Sequence, residues 1–283
     1  MTLRILQSGQ GASRPLVVAF GPMASAKLPA LLGPSACIVF DADGHGTETL
    51  AQIVDFAAHQ AGFTAVSATA LVGFSIGCSR VRTLRVAGAT AGAYLLVDGT
   101  HANWPPAAWQ IAWLRDLCDL ARGGKALLVA SHTYQTYTEK IAGHPFASTV
   151  TVLRLATGFQ LAKGGPPTAP ILTRDPVTGP PTSGLWVYSY ASAETDFEAH
   201  KYQGGPALHA LAKAHLAPWL ASVGAGMLAA TTEGATGVVS LEGDNVWGAA
   251  DCAFPPQAAR VTAVRQPAST TPRTSGRMAT STS

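Results

Sequence analysis

The chain of 283 residues is 47% hydrophobic and only 12% charged, which supplies a buried core and excludes disorder over most of its length. Its net charge of +3 comes from 19 basic and 16 acidic side chains spread along the sequence without a dense block, so no electrostatic footprint for nucleic acid is present. The continuous apolar run within the first twenty residues, Leu16 to Phe20, is too short for a signal-peptide core or a membrane span. The cytoplasm, or an assembly formed there, is therefore the expected location.

In chain order, short apolar runs at Leu3 to Leu6, Leu16 to Phe20, Cys37 to Phe40, Ala70 to Phe74, Ala93 to Val97, Ala126 to Ala130 and Leu185 to Tyr190 predict strands. Most are continuous rather than alternating, as in strands covered on both faces. Helix-period segments between them predict a mostly parallel sheet with helices on both sides. Leu50, Ile53, Val54 and Ala57 give one helical stripe. After Pro105-Pro106, Trp109, Ala112, Trp113, Leu117 and Leu120 give another, with Gly123-Gly124 as its stop and the tryptophans assigned to the core. A last helix is expected after Pro206, carrying Leu208, Leu211, Ala212, Trp219 and Leu220, with Pro218 kinking or shortening it.

Two segments depart from this alternation. Residues 164–184, rich in Pro and Gly, read as a flap over the sheet or an excursion from it. Residues 223–283 turn small, polar and Gly-rich and form a C-terminal extension whose end has the composition of a disordered tail, open to protein partners, although Val238, Val239, Leu241 and Trp247 offer packing material. Residues 1–222 thus form one domain. Cys37, Cys78, Cys118 and Cys252 stand far apart without a CxxC pair, so buried reduced thiols are expected rather than a zinc site or disulfide framework.

The sharpest motif is Gly73-Phe74-Ser75-Ile76-Gly77, placed between an apolar strand and a helix-period segment running from Cys78 to Val86. A serine in a strained strand-to-helix turn has its hydroxyl presented at the strand's C-terminal end, and small flanking residues let the turn close. On this motif the chain from about Leu3 to Leu220 resembles the α/β-hydrolase superfamily. The resemblance implies a three-layer fold with a mostly parallel central sheet, and Ser75 as nucleophile. It also implies an acid and then a histidine later in the chain, each on a loop at the sheet's C-terminal edge.

Carried onto this sequence, the histidine after the last strand is His200, in the loop before the final helix, as general base; His132 is the alternative base. The acid is Asp98, directly after the strand Ala93 to Val97, since the later strand offers no carboxylate until Glu139. Glu194, Asp196 or Glu198 would orient the base if Asp98 does not. The oxyanion hole implied by the resemblance uses the backbone N–H of Ile76 and one from the loop after Phe20, where Pro22 has none to give, so that Met23 or Ala24 supplies it. An HGGG-type loop is absent.

Other residues read as structural. Asp41, Asp43 and His45 alternate ligand types, yet a turn with a helix cap explains them and no metal is expected. His101, by contrast, follows a strand and, like His132, is a candidate to face the same cleft and contact substrate or replace His200 as the base, while His209 and His215 belong to the final helix. The expected activity is hydrolysis of an ester or related acyl bond through an acyl-enzyme on Ser75, without a cofactor. An acyltransferase would use the same residues. The rival expectation is a catalytically silent protein of the same fold that binds partners within a larger assembly.

Overall fold

The computed structural model describes residues 3–133, 146–161, 163–166, 168–175, 182–191 and 196–224. Its first half alternates regularly: β1 (Arg4–Gln7), β2 (Ser13–Phe20), α1 (Leu28–Leu32), β3 (Cys37–Asp41), α2 (Leu50–Ala61), β4 (Ala65–Phe74), α3 (Ile76–Val86) and β5 (Ala93–Val97). There follow β6 (Ala102–Asn103), α4 (Ala108–Arg122), β7 (Leu127–Thr133), β8 (Phe146–Ala147), α5 (Thr149–Thr157), β9 (Ile171–Arg174) and β10 (Gly184–Tyr190). The last helical segment comprises α6 (Asp196–Tyr202), a π-turn (Gln203–Ala207), α7 (Leu208–Leu211), a second π-turn (Ala212–Leu216) and helix over 217–224.

Eight strands form the central sheet in the order β1-β3-β2-β4-β5-β7-β10-β9. The six inner strands are parallel, and antiparallel β1 and β9 close the two edges. Strand alternation divides the apolar side chains between two cores. From β2, Leu16, Val18 and Phe20 face α2 to α5, through Ile53, Val81, Leu114, Leu117 and Leu153. Val17 and Ala19 face the opposite layer, built from Leu28 and Leu32 of α1 and Leu208, Leu211 and Trp219 of the C-terminal helix. Both faces of the sheet are covered, which is why its strands read as unbroken apolar runs. The fold is a three-layer α/β architecture with a mostly parallel sheet.

Local chemistry explains the ends of the elements. Thr49 caps α2, its hydroxyl accepting the Gln52 N–H at 3.2 Å while the Gln52 side chain accepts the Thr49 N–H at 2.8 Å. Gly62, in the left-handed region at φ 68°, ends the same helix. The cap is therefore Thr49, not the Asp41 to His45 segment. There, a carboxylate oxygen of Asp41 accepts the Asp43 N–H at 3.2 Å.

Four expectations are corrected. Trp109 is 57% exposed beneath the Arg82 guanidinium, because the buried face of α4 is centred on Leu114, Leu117 and Cys118 rather than on the stripe through Trp109. The 164–184 segment contributes the edge strand β9, paired with β10 from Trp186↔Arg174 to Ser189↔Ile171, so in this part it extends the sheet. The last helix starts before Pro206, not after it, and Pro206 sits inside a π-turn, where the widened backbone spiral tolerates its missing N–H. Pro218 does not end the helix, which continues to residue 224 just beyond a second π-turn. Residues 225–283, with the packing role considered for Val238, Val239, Leu241 and Trp247, lie outside the described residues, as do 134–145 and Glu194. Cys37, Cys78 and Cys118 are buried free thiols. Burial pushes Cys37 up to about 11 and Cys118 to about 12, leaving both protonated at neutral pH.

Candidate active site

Ser75 occupies the sharp turn between β4 and α3 at φ 54° and ψ −124°, a conformation that costs an L-residue about 1–3 kcal/mol. The surroundings impose it. The Ser75 N–H donates to the Val97 carbonyl at 3.1 Å, and the Cys78 N–H donates to the Ser75 carbonyl at 3.0 Å. Glycines make room for this crowding: a Cβ on Gly77 would stand 1.9 Å from the Phe20 oxygen, and one on Gly73 would stand 2.8 Å from the Cys78 nitrogen. Gly99, on the neighbouring strand end, would put a Cβ 2.1 Å from the Ser75 carbonyl oxygen. The Gly of Asp98-Gly99 is thus required by close approach of the Ser75 turn.

Asp98 follows β5 at φ 43° and is fully buried. One carboxylate oxygen accepts the Thr133 N–H at 3.2 Å; the other lies 3.0 Å from His200 Nδ1. A carboxylate can only accept, so Nδ1 carries the proton and Nε2 faces Ser75 with its lone pair. His200 Nε2 lies 2.8 Å from Ser75 Oγ. Ser75, His200 and Asp98, separated by up to 125 residues, therefore form one hydrogen-bonded chain. His200 belongs to α6 rather than to a loop, and its ring stacks on Phe74 with centroids 4.7 Å apart and planes at 27°. Phe74 is packed in turn against Gly204, where a Cβ would come 2.4 Å from the Phe74 ring.

The other histidines are placed elsewhere. His132, fully buried on β7, has Nε2 2.8 Å from Ser189 Oγ on β10 and does not join the Ser75 chain. Burial lowers its pKa to about 4, with Asp98 opposing the shift. His101 is also lowered to about 4, chiefly by burial and then by Arg82, and packs edge-on to Phe146. His215 pairs with the Tyr188 hydroxyl at 2.7 Å. His209 Nε2 donates to the Ala24 carbonyl at 2.7 Å. Glu198 is exposed at the mouth of the cleft, 4.0 Å from Lys201, and Asp98 is the carboxylate paired with His200. Among the described residues no group of three or more His, Cys, Asp or Glu is arranged to hold a metal ion.

The loop after β2 departs from the expected oxyanion arrangement. The Met23 N–H donates to the Gly21 carbonyl at 2.8 Å, and the Ala24 N–H donates to the Gly204 carbonyl at 2.9 Å. With Gly21 at φ 102°, the loop curls tightly enough to spend the Met23 donor within itself, while the Ala24 donor is spent on the π-turn of the C-terminal helix. Met23 is thereby corrected as second donor. Ile76, the first residue of α3, keeps an N–H among the helix's N-terminal donors, which have no intrahelical carbonyl to bind.

A cleft of about 730 Å³ opens beside Ser75, walled by Pro22, Ala24, Phe74, Tyr202, Gly205 and Pro206. Phe74, Thr133, Gln203 and the two glycines after it were not singled out by sequence reasoning. Gln203, buried, accepts the Ser131 hydroxyl at 2.8 Å and ties the π-turn to β7. Only the Gly-Gly-Pro string marks this turn in the sequence.

No family model and no curated protein matches the chain. Among solved structures it is similar to TT1662 from Thermus thermophilus, with 14% identity over 78% of this chain and 99% of that one and a TM-score of 0.40. Among the described residues no helix is long and apolar enough to cross a membrane.

Proposed function

We propose that this protein is a serine hydrolase of the α/β-hydrolase type, cleaving an ester or related acyl bond of a small molecule. The observation that carries the reading is the hydrogen-bonded chain from Ser75 Oγ through His200 to buried Asp98, with Ser75 held at φ 54° in its turn. In this reading His200 Nε2 takes the Ser75 proton as Oγ attacks the acyl carbon, and Asp98 stabilises the imidazolium. The Ile76 N–H faces the developing oxyanion. The proton then passes from His200 to the leaving group, and water, activated by the same nitrogen, releases the acyl group from Ser75. No cofactor enters these steps.

A fluorophosphonate probe tests the reading. Covalent labelling of the folded chain, lost in Ser75→Ala, is the expected result. The engagement of the Met23 and Ala24 N–H groups within the fold supports a second reading, a catalytically silent binding protein. A folded wild-type chain that takes no label would establish that second reading over the first.

A further inference from the structure

We infer that the cleft beside Ser75 receives an uncharged, apolar substituent several carbons long, and that the bare wall at Gly205 sets the length admitted. The inference rests on the serine hydrolase reading and adds a substrate class to it. Its starting point is a contrast between two adjacent glycines in the π-turn. Gly204 is explained by packing, since a Cβ there would lie 2.4 Å from the Phe74 ring. Gly205 has no such reason: its φ is not positive, and a Cβ would meet nothing nearer than the Ala24 Cβ at 4.0 Å. A side chain would fit the backbone and would project into the cleft that Gly205 lines. What glycine preserves at this position is empty space between the π-turn and the loop after β2.

The chemistry of that space is apolar. Phe74, Pro22, Ala24 and Pro206 face it. The carboxylate and ammonium groups of the described wall are Glu198 and Lys201, which stand 4.0 Å apart with both side chains solvent-exposed. A charged substituent entering would lose its hydration without a buried partner among the described residues, whereas an alkyl or aryl group gains about fourfold in affinity per buried methylene. At about 730 Å³ the cleft lies within the range that encloses drug-sized ligands, far larger than an acetyl group requires.

The test uses the full chain with p-nitrophenyl acetate, p-nitrophenyl octanoate and the mono-p-nitrophenyl ester of a dicarboxylic acid, and with ethyl and octyl fluorophosphonates. Wild type is expected to favour octanoate over acetate in kcat/KM and to turn over the carboxylate-ended ester poorly. Gly205→Leu is expected to lower the octanoate-to-acetate ratio by about tenfold or more, and Gly205→Ala to lower it by less. The octyl-to-ethyl ratio of inactivation rates should fall in parallel. Normal labelling of Ser75 with a wild-type ratio near one, or with the ratio unmoved in both variants, overturns this inference and leaves the hydrolase reading standing. Absence of labelling in wild type overturns both.

Discussion

Asp98 is held by three independent constraints: a left-handed backbone at φ 43°, the Thr133 N–H on one carboxylate oxygen and His200 Nδ1 on the other. Asp98→Asn keeps the size and one acceptor but offers an amide N–H to Nδ1. The imidazole would then have to carry its proton on Nε2, where it can no longer accept from Ser75. On the proposed function, kcat falls by about 10³–10⁴-fold with little change in KM, measured on any ester the wild type cleaves. A kcat within a few-fold of wild type would remove Asp98 from the mechanism. The residue was legible in sequence as the only carboxylate at the end of β5, but its Thr133 contact was not. That contact depends on β5 and β7 lying side by side, which no local pattern encodes.

At the level of elements, the turn between β4 and α3 is built by its neighbours as much as by its own residues. Gly77→Ala forces a Cβ within 1.9 Å of the Phe20 carbonyl of β2, so either the turn or the strand must shift. We expect destabilisation of at least about 2 kcal/mol in chemical denaturation, together with loss of fluorophosphonate labelling. Stability within about 0.5 kcal/mol of wild type would show that the turn has room to spare. The Gly-x-Ser-x-Gly string announced this element, because its glycines serve contacts four or five residues along the chain and with the adjacent strand end. The C-terminal helix was read less well. Pro206 and Pro218 mark helix breaks in sequence, yet the helix passes both by widening into π-turns, supported by Gln203 and Leu216 against the sheet. Strand β9 was hidden for a similar reason: Ile171–Arg174 is a short edge strand in Pro- and Gly-rich surroundings, and its pairing partner β10 lies further along the chain.

At the scale of the whole molecule, three of the described histidines, His101, His132 and His215, are folded into surroundings that lower their pKa from 6.5 to about 4, burial being the leading cause in each. Their folded pKa lies below the unfolded value, so the unfolded chain binds protons that the folded chain refuses as pH drops below 6.5. Stability is therefore fully present above pH 6.5 and is lost progressively as pH falls toward 4. Thermal unfolding followed by circular dichroism should show this decline, and His132→Gln or His215→Gln should make it shallower. An unchanged slope in both variants would assign the pH dependence to other groups.

The amino-acid sequence by itself determined the layered α/β plan, since continuous apolar strands alternating with one-sided helices have few other ways to bury their faces. It also determined the strained serine turn, whose residues are neighbours in the chain. Only the tertiary structure decided that His200 rather than His132 meets Ser75, that the Ala24 N–H is spent on the Gly204 carbonyl, and that Gly205 borders a cleft. Each of these depends on where segments tens to more than a hundred residues apart come to rest, which is set by packing on the sheet and not by any periodicity along the chain.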